Sequence, residues 1–345
     1  MSSTTTEAAD IETASGLLPW HAGQWQALMQ RRQTDTLPHA VLLTGIQGLG
    51  KNRFADALTQ ALLCGHPQTD GQACQSCRSC LLYQAATHPD YLCVQPTEDR
   101  KVIIVNQIRK MNEFISLKSQ YGGYQIVIIS PADKMNSNAA NSLLKTLEEP
   151  PAQTLLMLIT HEASALPATV RSRCLQIKFA PPAEQLAANW LRTHIKDDQD
   201  PIHLLALAGS APLTALSMAA SDACTRRALM LDDLESLLNQ QADPVSLAAT
   251  WLKGNVAETL TWMLSCIIDM VRLRSDARPP HLANPDLQQR LSLLAGQFSS
   301  AMLYAHLDCV TEAIKLLNSQ VNTQLLLEDM LLSWSNTSRV REKNL

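Results

Sequence analysis

The sequence lacks an excess of basic residues, a long apolar run and an apolar segment near its start. Lys and Arg number 28 against 32 Asp and Glu, which gives a formal net charge of −4. Because proteins hold DNA mainly by placing Lys and Arg on phosphates, this balance argues against DNA binding by the chain alone, although a local basic face stays open. No run of about 18 uncharged apolar residues occurs, so no transmembrane helix is expected, and no membrane is expected among the partners. The polar, acidic residues 1–18 predict a disordered tail without a signal peptide, and hence a cytoplasmic protein.

Cysteine is distributed unevenly along the chain. Of nine Cys in 345 residues, four crowd into residues 64–80, and the other five are scattered, mostly among apolar neighbours. In a reducing cytosol a scattered Cys behaves as a small apolar side chain, whereas a tight cluster indicates a metal site. With 46% hydrophobic residues, the chain is long enough to bury the cores of two or three domains.

Residues 37–180 alternate between strand-like and helix-like segments. The runs "AVLLTG", "DYLCVQP", "YQIVIIS", "TLLMLIT" and "LQIKFA" predict strands, mostly of the buried parallel type. Helical spacing between them, as in "VNQIRKMNEFISLK", predicts helices that cover a parallel sheet. After Pro181-Pro182 the strand signals stop, short helices follow to about residue 224, and longer ones run from about 225 to 338. The predicted fold class is therefore α/β followed by all-α.

The stretch "GIQGLGKN" has the pattern of a phosphate-binding loop. It follows a predicted strand and opens a predicted helix, where backbone N–H groups and a Lys surround a phosphate at the positive end of the helix. Its last residue is Asn, although a Ser or Thr hydroxyl normally binds Mg²⁺ at that position. We therefore interpret the stretch as a degenerate nucleotide-binding loop with these candidate residues: Gly45, Gly48, Gly50, Lys51 and Asn52.

An acidic pair is missing after the next core strand. Active phosphate-loop enzymes need one carboxylate there to hold Mg²⁺ and another to prepare the attacking water. The chain has Ser130 and Pro131 at these positions, and Asp133 follows where a turn or helix-start role is favoured. ATP hydrolysis is therefore not expected, while ATP binding through Lys51 and the loop amides stays open.

The second candidate site consists of four cysteines: Cys64, Cys74, Cys77 and Cys80. Four thiolates at this spacing close a tetrahedral Zn²⁺ site with no open position, which makes the metal structural. A redox pair or free thiols are the alternatives, and His66 is a minor alternative ligand. Only Arg78 adds positive charge, so the knuckle is expected to stabilise the fold or contact a partner rather than nucleic acid.

Several stretches, in this order, resemble those of the delta-prime subunits of the bacterial DNA polymerase III clamp loader, a family of AAA+ proteins. They are "LPHAVLLTGIQGLGK", the four-Cys knuckle, "THPDY", "NQIRKMNEF", "NSLLKTLEEPP" and "RSRC". The resemblance covers most of residues 19–182 and is specific there. The C-terminal half matches only in its helical character.

The resemblance implies three domains. These are an AAA+ phosphate-loop-type α/β domain at 19–181 with a zinc knuckle at 64–80, a small helical lid at 182–224, and a helical collar at 225–345 that oligomerises in a ring. It implies ATPase motor subunits and the delta subunit as partners in that ring. DNA and the sliding clamp would be reached through the complex.

The resemblance also implies a role for the "RSRC" turn. In the family this subunit does not drive hydrolysis itself but presents the Ser-Arg-Cys arginine to a neighbour's nucleotide. Carried over, Arg173 is the arginine that acts in trans, and Ser172 and Cys174 shape its turn. The motor relatives also carry a lid arginine after a Gly-Ser step, and here Gly209-Ser210 is followed by no Arg.

The implied function is that of a non-hydrolysing delta-prime arm, which helps to load the sliding clamp on primed DNA. No intrinsic activity is expected of the chain, although it would be a subunit of the DNA polymerase III holoenzyme. Two alternatives stay open. An active AAA+ ATPase would use Lys51 with Asp133 as a substitute acid. A zinc-dependent nucleic-acid-binding protein would bind DNA in a salt-sensitive way.

Two further segments receive an interpretation. Thr160 ends "TLLMLIT", where active relatives sense the γ-phosphate, and it is interpreted as structural because no acids are expected nearby. In "LLKTLEE", the residues Lys145, Glu148 and Glu149 are expected to line a subunit interface or the inner face of the ring, and a solvated helix face is equally favoured.

Overall fold

A computed structural model describes residues 16–97, 101–196, 199–276, 279–317 and 321–342. The predicted tail lies outside these residues except for 16–18, of which Leu18 is buried. The chain divides into two compact units. The first comprises Met1–His194 with Ser210–Ser217, and the second Ile195–Gly209 with Met218–Leu345.

The first unit is built on a five-stranded parallel sheet with the order β2-β3-β4-β1-β5. Its strands are β1 Ala40–Thr44, β2 Tyr91–Val94, β3 Gln125–Ile129, β4 Thr154–Thr160 and β5 Leu175–Lys178. All five predicted strands are confirmed. The three central strands are buried along their whole length, which explains why they read as continuous apolar runs rather than alternating ones.

Helices cover both faces of this sheet. The helices up to residue 192 are α1 Ala22–Gln33, α2 Lys51–Leu63, α3 Arg78–Gln84, α4 Val105–Ser116, α5 Ser137–Glu148, α6 Ala168–Arg171 and α7 Glu184–Arg192. Ile108, Met111 and Ile115 of α4 are buried as their spacing predicted, in one core with the inner faces of α5 and α6. A second core packs α1 and α2 against the opposite face of the sheet.

The carboxyl ends of β1, β3 and β4 lie at the same edge of the sheet. In parallel sheets this edge is where ligands bind. The phosphate loop follows β1, and Ser130 follows β3. Thr160 is the last residue of β4, and it pairs in register with Thr44 at the end of β1.

In the described part of the second unit the regular structure is entirely helical, and loops connect the helices. The remaining helices of the chain are α8 Pro201–Leu207, α9 Pro212–Ala220, α10 Ala223–Leu238, α11 Pro244–Trp251, α12 Val256–Ser275, α13 Gln288–Ala295, α14 Ser300–Leu316 and α15 Thr323–Glu342. In the second unit Arg227 is fully buried and donates to Asn284 Oδ1 at 2.6 Å. The α/β architecture followed by helices agrees with the predicted fold class.

Among the described residues, no single helix has the length and apolar composition to cross a membrane. One bent pair, Pro201–Leu207 with Pro212–Ala220, passes on length and composition alone.

Candidate functional site

The phosphate loop is packed tightly by other parts of the same unit. Gly48 and Gly50 have φ angles of 80° and 81°, which favour glycine. A Cβ at Gly48 would lie 2.1 Å from Thr214 Oγ1, and one at Gly50 would lie 2.4 Å from Leu18 Cδ1. The N–H of Leu213 also donates to the Gly48 carbonyl at 3.0 Å. The loop glycines therefore accommodate the protein's own side chains.

Lys51 is directed at the loop that precedes it. Its side chain is buried, and Nζ donates to the carbonyls of Gly45 and Ile46 at 2.6 and 2.7 Å. Nζ also lies 3.0 Å from His161 Nδ1. A phosphate in this loop would compete with these contacts for the ammonium group. The sequence marked Lys51 as a candidate binding residue, but it gave no sign of His161.

The peptide before the helix is held by two aromatic side chains. The Leu49 carbonyl accepts from Trp20 Nε1 at 3.0 Å and from His21 Nε2 at 2.9 Å. His21 Nδ1 accepts from the Leu18 N–H, so the neutral tautomer with its proton on Nε2 fits both contacts. Burial, helped by the nearby charge of Arg53, lowers the pKa of His21 to about 4, although the hydrogen bond to Leu49 acts to raise it.

The two positions that would bind Mg²⁺ in an active phosphate-loop enzyme bond to each other. Ser130 Oγ donates to Asn52 Oδ1 at 3.0 Å. Asp133 lies in a 3-10 helix, Ala132–Lys134, and its Oδ1 accepts from Thr160 Oγ1 at 2.6 Å. The hydroxyl of Thr160 therefore orders the strand end, and its oxygen also accepts from the Glu162 N–H.

The four cysteines of the predicted knuckle converge. Their Sγ atoms all lie within 4.8 Å of one another, and the pairs Cys64–Cys77 and Cys74–Cys80 are 3.9 and 4.0 Å apart. A tetrahedral site with Zn–S bonds of about 2.3 Å has S–S edges of about 3.8 Å, so the donor set fits such an ion. The cluster has the composition and spacing to bind a metal ion.

Backbone N–H groups point at the cysteine sulfurs. Cys64 Sγ accepts from the N–H groups of His66 and Cys74 at 3.4 and 3.3 Å. Cys74 Sγ accepts from the Cys77 N–H, and donors at Ser76 and Cys77 lower the pKa of the Cys74 thiol to about 6. Burial raises the pKa of Cys80. Donors of this kind stabilise thiolates and orient them toward a metal.

A chain of buried polar groups joins the knuckle to the sheet. Ser79 Oγ donates to the Leu63 carbonyl at 2.6 Å and accepts from His88 Nε2 at 2.8 Å. His88 Nδ1 accepts from the Asp90 N–H. The Asp90 carboxylate accepts from three donors in the loop after α4: Ser119 Oγ, the Gln120 N–H and the Tyr121 N–H. The "THPDY" stretch is therefore a structural link.

The Arg173 side chain lies at the surface, with 35% of its area exposed. Nη1 donates to the Thr169 carbonyl at 2.9 Å, and Nη2 donates to Glu148 Oε1 at 2.6 Å. The turn around it is anchored, because Val170 and Cys174 are buried in the core. Burial raises the pKa of Cys174 to about 12, which keeps this thiol neutral.

Family models and sequence relatives agree on one family. The family model described as DNA polymerase III, delta subunit matches residues 20–183, and the model for the C-terminal part of that subunit matches 221–336. DNA polymerase III subunit delta' of Pseudomonas aeruginosa is 34% identical over 324 residues, which are 93% of this chain and 98% of that protein. The subunit delta' of Escherichia coli (strain K12) is 32% identical over 317 residues, 91% and 94% of the two chains.

Solved structures give a weaker similarity. A DNA polymerase III gamma subunit-related protein from Thermotoga maritima aligns with a TM-score of 0.46 at 16% identity, over 90% of this chain and 99% of that one.

Proposed function

Because the chain belongs to the delta-prime family of DNA polymerase III subunits and has a clamp-loader role, we propose that it is the arm of the loader that hydrolyses no ATP itself. In this proposal it donates Arg173 to the ATP site of a neighbouring motor subunit. Through the complex it helps to place the sliding clamp on primed DNA during replication.

The proposal rests on the exposure and hydrogen bonding of Arg173. Its guanidinium group is partly exposed on an anchored turn. The contacts with Thr169 and Glu148 use two of its five N–H donors, so others remain for a phosphate. A planar guanidinium matches phosphate oxygens, and an arginine supplied in trans neutralises the charge that develops on a transferring phosphoryl group. Ser172 and Cys174 flank it, one exposed and one buried, and so fix the side of the turn that faces out.

The absence of hydrolysis is supported by the contacts at the phosphate loop. Asn52 and Ser130 bond to each other where a hydroxyl and a carboxylate would hold Mg²⁺, and Asp133 bonds to Thr160. Without those groups phosphoryl transfer lacks both metal binding and water positioning. Any ATP held by the degenerate loop would therefore stay intact; the residues concerned are Gly45, Gly48, Gly50, Lys51 and Asn52.

We infer that the metal of the cysteine cluster is zinc in a structural role. Four sulfur donors at tetrahedral spacing favour Zn²⁺ and leave no position for a substrate. Held by Cys64, Cys74, Cys77 and Cys80, the ion would fix the inserted segment against the rest of the unit.

Membership of the family supports a proposal for the wider assembly. The proposed partners are the ATPase motor subunits and the delta subunit in a hetero-oligomeric ring, in the cytoplasm, with DNA and the clamp reached through that ring. The proposed domains are an α/β domain at 19–181, a lid at 182–224 and a collar at 225–345.

The test is the ATPase rate of a reconstituted loader in the presence of primed DNA and clamp. The other motor subunits carry an inactivating substitution, so that the ATP site beside this chain is read alone. An arginine acting in trans contributes on the order of 10³-fold in other phosphoryl-transfer systems. We expect Arg173→Ala to lower the rate of this site by a factor of that order while the ring still assembles.

Arg171→Ala is the matched control, because Arg171 lies in the same segment and carries the same charge. A wild-type rate with Arg173→Ala would refute arginine donation. An equal loss with both variants would show that the rate depends on the charge of the segment and not on one positioned arginine.

A further inference from the structure

Glu148 is the acidic side chain that contacts Arg173. It is the last residue of α5, and its Oε1 accepts from Arg173 Nη2 at 2.6 Å. Half of the Glu148 side chain is exposed, so the carboxylate is not needed to fill the core. The contact joins two elements that are 25 residues apart in sequence.

The position of Glu148 is unfavourable for the helix that carries it. The carboxyl end of a helix has a partial negative charge, and an acidic side chain there is repelled. Two acidic residues, Glu148 and Glu149, stand at this end of α5. Helix stability therefore gives no reason for the carboxylate, whereas the guanidinium group of Arg173 gives one.

The contact limits the freedom of a long side chain. A free Arg side chain has many rotamers. When it contacts a phosphate it loses this conformational entropy, and the loss weakens binding. Here Thr169 fixes Nη1 and Glu148 fixes Nη2, while the buried Val170 and Cys174 fix the backbone beneath. The guanidinium group is thus oriented before any neighbouring subunit arrives.

We propose that Glu148 is the positioning residue for Arg173, holding its guanidinium group ready for the neighbour's ATP. This inference rests on the proposed function, since it assumes that Arg173 acts in trans. Preorganisation of this kind strengthens an interaction in the transition state without adding a contact to the substrate.

The experiment uses the same reconstituted loader with a single active site. Exposed ion pairs contribute little, so we expect Glu148→Gln to lower kcat by about two- to fivefold, with the KM for ATP unchanged. In the Arg173→Ala background the same substitution should have no further effect. Glu149→Gln is the matched control, because it removes the same charge from the same helix end, and within the described part of the chain Glu149 forms no ion pair.

The outcomes separate this inference from the function on which it rests. A normal kcat with Glu148→Gln, beside a strong loss with Arg173→Ala, overturns the positioning role and leaves arginine donation standing. An equal loss from Glu148→Gln with and without Arg173 also overturns it, because the carboxylate would then act by another route. If Arg173→Ala itself has no effect, arginine donation and the positioning role both fail.

Discussion

The phosphate loop and the cysteine cluster are two motifs of ligand-binding type in the same compact unit. The polar groups of the loop bond to other groups of the protein, whereas the sulfur atoms of the cluster converge on one point. In the loop, Lys51 donates to the Gly45 and Ile46 carbonyls, and the Leu49 carbonyl accepts from Trp20 and His21. In the cluster, four sulfur atoms converge within 4.8 Å, and the backbone N–H groups around them favour thiolates.

A sequence motif alone therefore does not decide whether a site binds its ligand. Both segments contain residues of the right type at the right spacing. A binding site also requires those residues to lack equally good partners within the protein, because a ligand must otherwise displace them. By this criterion the cysteine cluster is prepared for a ligand, and the loop has become part of the packing of its own unit.

Removal of the proposed zinc ion is expected to have the largest effect. Structural zinc provides on the order of 10 kcal/mol of apparent binding free energy in zinc-finger peptides. We expect about one zinc ion per chain, and we expect Cys77→Ser to abolish stoichiometric binding and to speed hydrogen exchange in residues 64–80. Elemental analysis and exchange mass spectrometry measure both.

Cys93→Ser serves as its control, because Cys93 is exposed and lies outside the cluster. Metal-free wild-type protein with unchanged exchange in the knuckle would contradict the structural role of the ion.

A pH titration tests the packing of the phosphate loop. Burial lowers the pKa of His21 from 6.5 to about 4. Between these two pH values, His21 is protonated in the unfolded chain and neutral in the folded chain. The stability due to neutral His21 is complete above pH 6.5 and is lost as the pH falls toward 4, by about 3 kcal/mol in all. We expect denaturant unfolding at pH 7 and pH 4.5 to show this loss in wild type and a smaller one in His21→Gln.

Glutamine can donate to Leu49 and accept from Leu18 but does not titrate in this range. Comparison with the variant is needed because burial raises the pKa of Asp56 to about 6, which acts in the opposite direction over the same pH range. Parallel pH profiles for the two proteins would contradict the interpretation of His21.

The smallest effect is expected from Lys51→Met, measured as the ATPase rate of the loader. Since Lys51 bonds to the Gly45 and Ile46 carbonyls, its loss should lower the melting temperature of the isolated chain and leave the loader's rate unchanged. A loader inactivated by Lys51→Met, still assembled, would favour the active-ATPase alternative and would end the contrast between the loop and the cluster.

The sheet was predictable from sequence mainly because its three central strands are buried on both faces and therefore appear as apolar runs. The convergence of the cysteines was predictable as well, since a short loop with closely spaced thiols has few other arrangements. Ile108, Met111 and Ile115 share a face because of helical period alone.

The contacts that decide the candidate sites were not predictable in this way. His161 meets Lys51 across 110 residues of sequence, and Glu148 meets Arg173 across 25. Such pairs depend on the order of strands in the sheet and on side-chain direction, and neither has a period in the sequence. Glu148 carried one signal that could have been used, an acidic residue at the wrong end of a helix.

The link between Ser79, His88 and Asp90 bears on how the cysteine insertion can be exchanged or removed. Seen in sequence, residues 64–80 look like a cassette that a related chain could carry or omit. His88 and Asp90 lie outside that cassette and are buried, and His88 bonds to a serine within it. A grafted or shortened version would leave His88 with an unpaired buried nitrogen, so an exchange that preserves the fold must change "THPDY" together with the knuckle.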